Sequence, residues 1–262
     1  MSIIFGPAGL GKVSEAVSNL QEYKKKGLRA CEIAFTYGIY IKEGKDDKEI
    51  KEIRTFVEDN KFKLSIHAPY FINLNSAEKI KIEESKKRIL DCCKIGELLG
   101  AYIVVFHAGF YGKIDKEKSY ENIKKAILEI REEIKKNKWK IKIAPETMGK
   151  INVFGTIDEI KKLRKETGCE MCVDFAHLYA RSVGKMSYEE MYKELSEFDE
   201  LHCHFSGIVF GDKGEKNHKI TDSEEIKKLL SVLPKNKEIV IINESPYPVE
   251  DSVKSLKIFE KL

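Results

Sequence analysis

This chain of 262 residues contains no run of about 18 apolar residues, the length a helix needs to cross a bilayer, so no membrane span is expected. Its opening residues, Met1-Ser-Ile-Ile-Phe5, lack a basic region followed by a long apolar core, which argues against a secretory signal. Charge of either sign is not in large excess. The 47 basic and 43 acidic groups leave a net +4, which neither demands nor opposes nucleic acid as a partner. The six cysteines, Cys31, Cys92, Cys93, Cys169, Cys172 and Cys203, follow no spacing of a disulfide scaffold. Cys169 and Cys172 fit Cys-x-x-Cys, but they lie in an expected strand, whereas a redox pair sits at a helix amino terminus. Reduced thiols are expected. Glutamine is rare and lysine far outnumbers arginine, a surface composition like that of thermophile proteins. No linker, low-complexity segment or second domain interrupts the chain. A soluble, cytoplasmic, monomeric protein is the expectation.

What the chain does contain is a repeated alternation of strand and helix. Short β-branched strands are read at 2–6, 30–35, 63–68, 102–107, 140–145, 170–175, 201–205 and 238–243. Helices are read near 13–25, 48–59, 77–99, 116–136, 156–166, 188–197, 223–232 and 249–262. Gly100 supplies a helix stop, and Thr156 and Ser187 supply N-caps. A long loop is expected between the seventh strand and its helix. Eight such units in one chain of this length match a closed (β/α)8 TIM barrel, a single domain over residues 1–262, with a parallel sheet and right-handed crossovers.

In such a barrel the functional groups sit where the strands end. Charged and imidazole side chains resist burial unless paired or bound to metal. Here apolar strands repeatedly end in them: His67, His107, Glu146, Asp174 with His177 just beyond, His204 and Glu244, while the loop after the seventh strand adds His218. Any one of these histidines alone would be an ordinary hydrogen-bonded residue. Five histidines and three carboxylates on one rim would perturb one another at great cost unless cations neutralised them. Imidazole mixed with carboxylate suits Zn2+, with Mn2+ or Fe2+ as neighbours in preference. His202 lies two residues before His204 and so points the same way one layer deeper, as a core or supporting histidine.

The motifs His67-Ala-Pro-Tyr70-Phe-Ile-Asn73, Phe106-His107-Ala-Gly109, Pro145-Glu146-Thr147, Asp174-Phe-Ala-His177, His204-Phe-Ser and Asn243-Glu244-Ser-Pro246 resemble the endonuclease IV family of apurinic/apyrimidinic endonucleases, within the xylose isomerase-like barrels. The resemblance runs nearly end to end. It implies two to three zinc ions per chain. One would be held by His67, His107 and a bridging Glu146; a second by Glu146, Asp174, His204 and Glu244; a third by His177 and His218. It implies cleavage of DNA 5′ to abasic sites by a water held between metals, with Glu146 and Glu244 as the catalytic carboxylates. Tyr70 and Phe71 match the bulky pair that the family wedges into the minor groove.

Three departures stand against the pattern. The third metal's usual Asp-x-His reads Lys216-Asn217-His218, which leaves Glu215 or Asp212 to substitute. The loop Phe35-Thr-Tyr-Gly-Ile-Tyr40 lacks the arginine expected to enter the duplex, and several loops are short. The segment Gly6-Pro-Ala-Gly-Leu-Gly11-Lys12-Val13 mimics a P-loop but has no Ser or Thr for Mg2+, so a tight glycine turn is the better reading. The rival to a nuclease is a divalent-metal sugar isomerase or epimerase of the same barrel class, built on Glu146, Asp174, His204 and Glu244. It leaves His67, His107, His177 and His218 without a task. A nucleic-acid-binding barrel without catalysis, and a nuclease for ultraviolet photoproducts, are the remaining readings.

Overall fold

Apolar segments buried on both faces build the wall of a barrel. The computed structural model describes residues 3–262, so the Ser2 expected to open the first strand lies outside the described residues. Its strands are β1 (Ile3–Pro7), β2 (Ala30–Ala34), β3 (Lys63–His67), β4 (Ile103–Phe106), β5 (Lys142–Pro145), β6 (Cys172–Asp174), β7 (Glu200–Phe205), β8 (Gly207–Gly211), β9 (Gly214–Lys219) and β10 (Glu238–Asn243). The helices are α1 (Ala16–Lys25), α2 (Asp47–Asp59), α3 (Lys79–Leu99), α4 (Lys116–Lys136), α5 (Ile157–Thr167), α6 (Phe175–Arg181), α7 (Tyr188–Leu195), α8 (Ser223–Val232) and α9 (Pro248–Phe259). One parallel half-sheet runs β2-β3-β4-β5 and the other β1-β10-β7-β6. Parallel bridges Ala8↔Glu32 and Glu146↔Cys172 join the two halves into a ring. The chain is a TIM barrel. Closure is tight at the first seam, where a Cβ on Gly6 would fall 2.0 Å from the Ala30 carbonyl oxygen, so only glycine fits.

The helices cover the wall through periodic apolar faces. On α4, Ile123, Ile127, Ile130 and Ile134 are buried at helical spacing. Capping boxes start α5, with Thr156 and Glu159, and α7, with Ser187 and Glu190. Gly100, at φ 75°, ends α3. The P-loop-like segment is a turn: the Gly9 N–H donates to the Glu32 carbonyl at 2.8 Å, so it is not free to cradle a phosphate. All six cysteines are buried and unpaired, and Cys172 faces the barrel histidines with its thiol pushed well up by burial, which rules out a reactive Cys-x-x-Cys pair. No helix among the described residues is long and apolar enough to cross a membrane.

Two expectations are corrected. The stretch after β7 is not a loop but the antiparallel hairpin β8–β9, folded over the rim. The sixth strand is shorter than read at both ends; at its carboxyl end Asp174 caps α6, and the His177 expected just beyond the strand lies on that helix.

Candidate metal centre

The carboxyl ends of the strands bring their side chains together around Glu146, which is fully buried just past β5. Its Oε2 lies 3.3 Å from His67 Nε2 and 3.0 Å from His107 Nε2. Its Oε1 lies 3.3 Å from His177 Nδ1 and 3.2 Å from His204 Nδ1. One carboxylate thus presents its two oxygens to two pairs of imidazoles. Asp174 Oδ1 accepts the His177 backbone N–H at 2.8 Å, so the cap that starts α6 also fixes this carboxylate. Glu244, just past β10, comes within 3.5 Å of His204 Nδ1 and 4.0 Å of His218 Nε2.

Backbone partners fix the imidazoles. A carbonyl oxygen only accepts, so His67 Nδ1–H donates to Ala68 O at 2.8 Å and His177 Nδ1–H to Thr147 O at 3.0 Å. Each leaves Nε2 to face the cluster, the arrangement by which proteins hold metal-ligating histidines. Ser206 Oγ, 2.6 Å from His218 Nδ1, does the same for His218.

Four donor groups have ligand atoms all within 4.8 Å of one another: at the rim His67, His107 and Glu146; Asp174, His177 and His218; and Glu146, Asp174, His204 and Glu244; and, one layer deeper, Cys172, His202 and His204. Buried polar atoms in folded proteins almost always find a partner. Among the described residues, Asp174 Oδ2, His177 Nε2 and His204 Nε2 are buried without a hydrogen bond, and the first two face the rim groups. The donor types and the orphaned atoms both fit divalent cations.

Without cations, protons hold the cluster together. Burial opposes charge on His67, but the hydrogen bond and charge of Glu146 outweigh it and lift the imidazole to about 9. His177 and His204 are raised well above the usual range against the same burial, His177 chiefly by Asp174 and Glu146. Burial works to raise Glu146 and Glu244 also, yet His204 and its neighbours hold Glu146 well below the carboxylate range and Glu244 at about 2. Burial raises Asp174. Metals entering this site would displace protons from imidazole.

The hairpin resolves the missing aspartate. Phe210 pairs with Glu215 and Val209 with Asn217, so Lys216 is the extra residue of a β-bulge. A regular strand would turn residues 215 and 218 to opposite faces. The bulge turns both inward: Glu215 Oε2 reaches 3.4 Å from His177 Nε2, and the His218 and His177 rings lie 5.4 Å apart, while Lys216 is exposed. Of the two substitutes named above, Glu215 is the one brought to the site.

Tyr70 and Phe71 stand at the rim, 49% and 53% exposed. The Tyr70 ring stacks on His107 at 5.3 Å, and Phe71 packs under the Arg88 guanidinium at 4.9 Å. A cavity of about 420 Å3 opens beside them, lined by His107, Phe110, Lys150, Glu215, His218 and Glu244 among others. Arg181 donates to the Met148, Lys150 and Val153 carbonyls and so pins the loop that forms its far wall. The residue missed from sequence is Glu32, buried in mid-strand with 3.0 Å between its Oε1 and His204 Nε2. A charge within the apolar run Cys31–Ala34 was the available signal.

The xylose isomerase-like TIM barrel family profile matches residues 20–262. An uncharacterised protein of Methanocaldococcus jannaschii is 34% identical over 269 residues, covering 98% of this chain and 88% of its own length. An apurinic-apyrimidinic endonuclease of Caenorhabditis elegans is 31% identical over 141 residues, covering 50% of this chain and only 35% of its own length. Among solved structures, endonuclease IV of Thermus thermophilus superposes with a TM-score of 0.72 at 18% identity, covering 98% of both chains. A D-tagatose 3-epimerase-like protein does so at 0.68 and 20% identity, covering 98% of this chain and 96% of its own. At these identities the structural likenesses speak for the fold alone.

Proposed function

The chain belongs to the xylose isomerase-like TIM barrel family, and from that premise we propose that it is a zinc-dependent endonuclease that cleaves DNA 5′ to abasic sites. One observation carries the reading: three donor groups share one rim, with Glu146 common to two of them. A chemistry that needs one cation has no use for so many ligands. Phosphodiester hydrolysis does, because charge develops on attacking, non-bridging and leaving oxygens at once.

Two to three zinc ions would be held by His67, His107 and Glu146, by Glu146, Asp174, His204 and Glu244, and by His177, His218 and Glu215. When bound, they supply Lewis acidity, both acidifying a water and neutralising charge on the phosphate. The residues of the chain do the rest. Glu146 ties two of the groups into one unit through its separate oxygens. Glu244, held ionised by His204, is the carboxylate that orients the attacking water. Lys150 and Lys216 edge the cavity with positive charge, and Tyr70 and Phe71 offer exposed rings on which an unstacked base or sugar can rest.

A sugar epimerase remains the alternative because Glu146, Asp174, His204 and Glu244 alone form a complete one-ion group. The test uses protein stripped with EDTA and reloaded with Zn2+, offered a duplex holding one abasic site and, separately, a ketose. Nicking of the duplex only by reloaded protein supports the nuclease. Epimerisation without nicking overturns it.

A further inference from the structure

Beneath the rim lies a polar layer that the proposed reaction does not touch. Glu32 stands in the middle of β2 and is fully buried. Its backbone closes the barrel seam, bridging to Ala8 and accepting the Gly9 N–H. Its side chain crosses the barrel to β7. Oε2 accepts from the Ser65 hydroxyl at 2.8 Å and lies 3.3 Å from His202 Nε2. Oε1 lies 3.0 Å from His204 Nε2, a close approach of the two groups, and neither atom has a formed hydrogen bond among the described residues. His202 is held in turn by the Tyr102 hydroxyl at its Nδ1. Burying a carboxylate is costly unless its partners are well arranged, and here they are arranged to fix one oxygen and aim the other.

That oxygen points at the far side of a candidate ligand. His204 Nδ1 lies 3.2 Å from Glu146 Oε1 and 3.5 Å from Glu244 Oε2, on the rim side of the ring. Unlike His67 and His177, His204 has no carbonyl on its second nitrogen. We propose that Glu32 is a positioning residue: it takes the Nε2–H of His204 and so fixes the ring and tautomer that leave Nδ1 to a cation held with Glu146 and Glu244. His204 is a ligand only if the metal-centre reading holds, so Glu32 has this role only within that reading. A carboxylate behind a ligating imidazole fixes its orientation and raises its basicity toward metal. Ser65 and His202 hold Glu32 in register, so the supporting layer spans β2, β3 and β7 and makes the second donor group rigid.

A purely structural Glu32, present only to balance a buried His202, would leave zinc binding unchanged in a folded variant. Wild type and Glu32→Gln are therefore stripped with EDTA and titrated with Zn2+ against a chelating dye at a temperature where both are folded. Removing such a carboxylate weakens metal binding about 10–100-fold, and that loss is expected at the site containing His204. Equal affinities overturn the proposal. A second measurement needs no variant: in zinc-loaded wild type carrying 15N-histidine, NMR should find His204 protonated at Nε2 and ligating through Nδ1. The opposite tautomer overturns the proposal while leaving the metal centre standing. Wild type that takes up no zinc overturns the metal-centre reading, and this one with it.

Discussion

Replacing Glu146 with Gln keeps the side-chain volume and removes one charge from the point where four imidazoles meet. In the metal-free protein burial disfavours charge on His67, and Glu146 overcomes it, lifting the pKa from 6.5 to about 9. Each unit corresponds to about 1.36 kcal/mol, so the raised His67 contributes on the order of 3 kcal/mol to folding. The folded state holds this proton more tightly than the unfolded chain does. Its contribution is therefore complete below about pH 6.5 and is lost as the pH rises through about 9. His177 and His204 shift in the same direction and add to the loss. Metal-free wild type should lose on the order of 3 kcal/mol of stability across that window, roughly 6–12 °C in Tm for a chain of this size. Glu146→Gln should start lower by most of that amount and decline less steeply with pH, keeping only the part that Asp174 gives His177 and that Glu32 and Glu244 give His204. Denaturant unfolding of EDTA-stripped protein, followed by circular dichroism near pH 6.5, 8 and 9.5, measures both. A wild type with flat stability, or a variant that declines as steeply, would refute the coupling of Glu146 to its imidazoles.

With Zn2+ restored, Glu146→Gln should nick abasic duplex roughly a thousandfold more slowly or worse, since metal-held charge is worth several kcal/mol at the transition state; activity near wild type would remove Glu146 from the centre. Glu215→Gln should lower bound zinc, read by elemental analysis, by one per chain while the group around Asp174, His204 and Glu244 stays filled; an unchanged count would show that the bulge delivers no ligand. Tyr70→Ala should weaken binding of an abasic duplex in EDTA by about 1–3 kcal/mol in fluorescence anisotropy and leave zinc content alone. Thr156→Ala, which breaks the capping box of α5 and removes no member of the donor groups, should cost about 1 kcal/mol in denaturant unfolding with zinc content unchanged.

The barrel was legible because each strand is a short apolar run and several helices carry their own stop or cap, as Gly100 and Thr156 do. Most of the rim was legible for the same reason: His67, Glu146, Asp174, His204 and Glu244 interrupt apolar runs where those runs end. The hairpin β8–β9 was not. Glu215, Lys216, Asn217, His218 and Lys219 carry no apolar alternation, and they become a strand only by pairing with Gly207–Gly211. The bulge that admits Glu215 is a property of that pairing, invisible in a linear pattern. Helix α6 was hidden by its seven residues, too few for a period to be read, although Asp174 was a cap in plain view. Glu32 escaped because it sits in mid-strand and not at a strand end, and its partners come from residues 33 and more than 160 positions away.

Anomalous diffraction at the zinc edge, recorded on crystals of the reloaded protein, tests the multi-metal rim most directly. Two or three peaks are expected, one beside His67 and His107 and one among Asp174, His204 and Glu244, with Glu146 reaching both. A single ion held by Glu146, Asp174, His204 and Glu244, with His67, His107 and His177 remote from any metal, would contradict it.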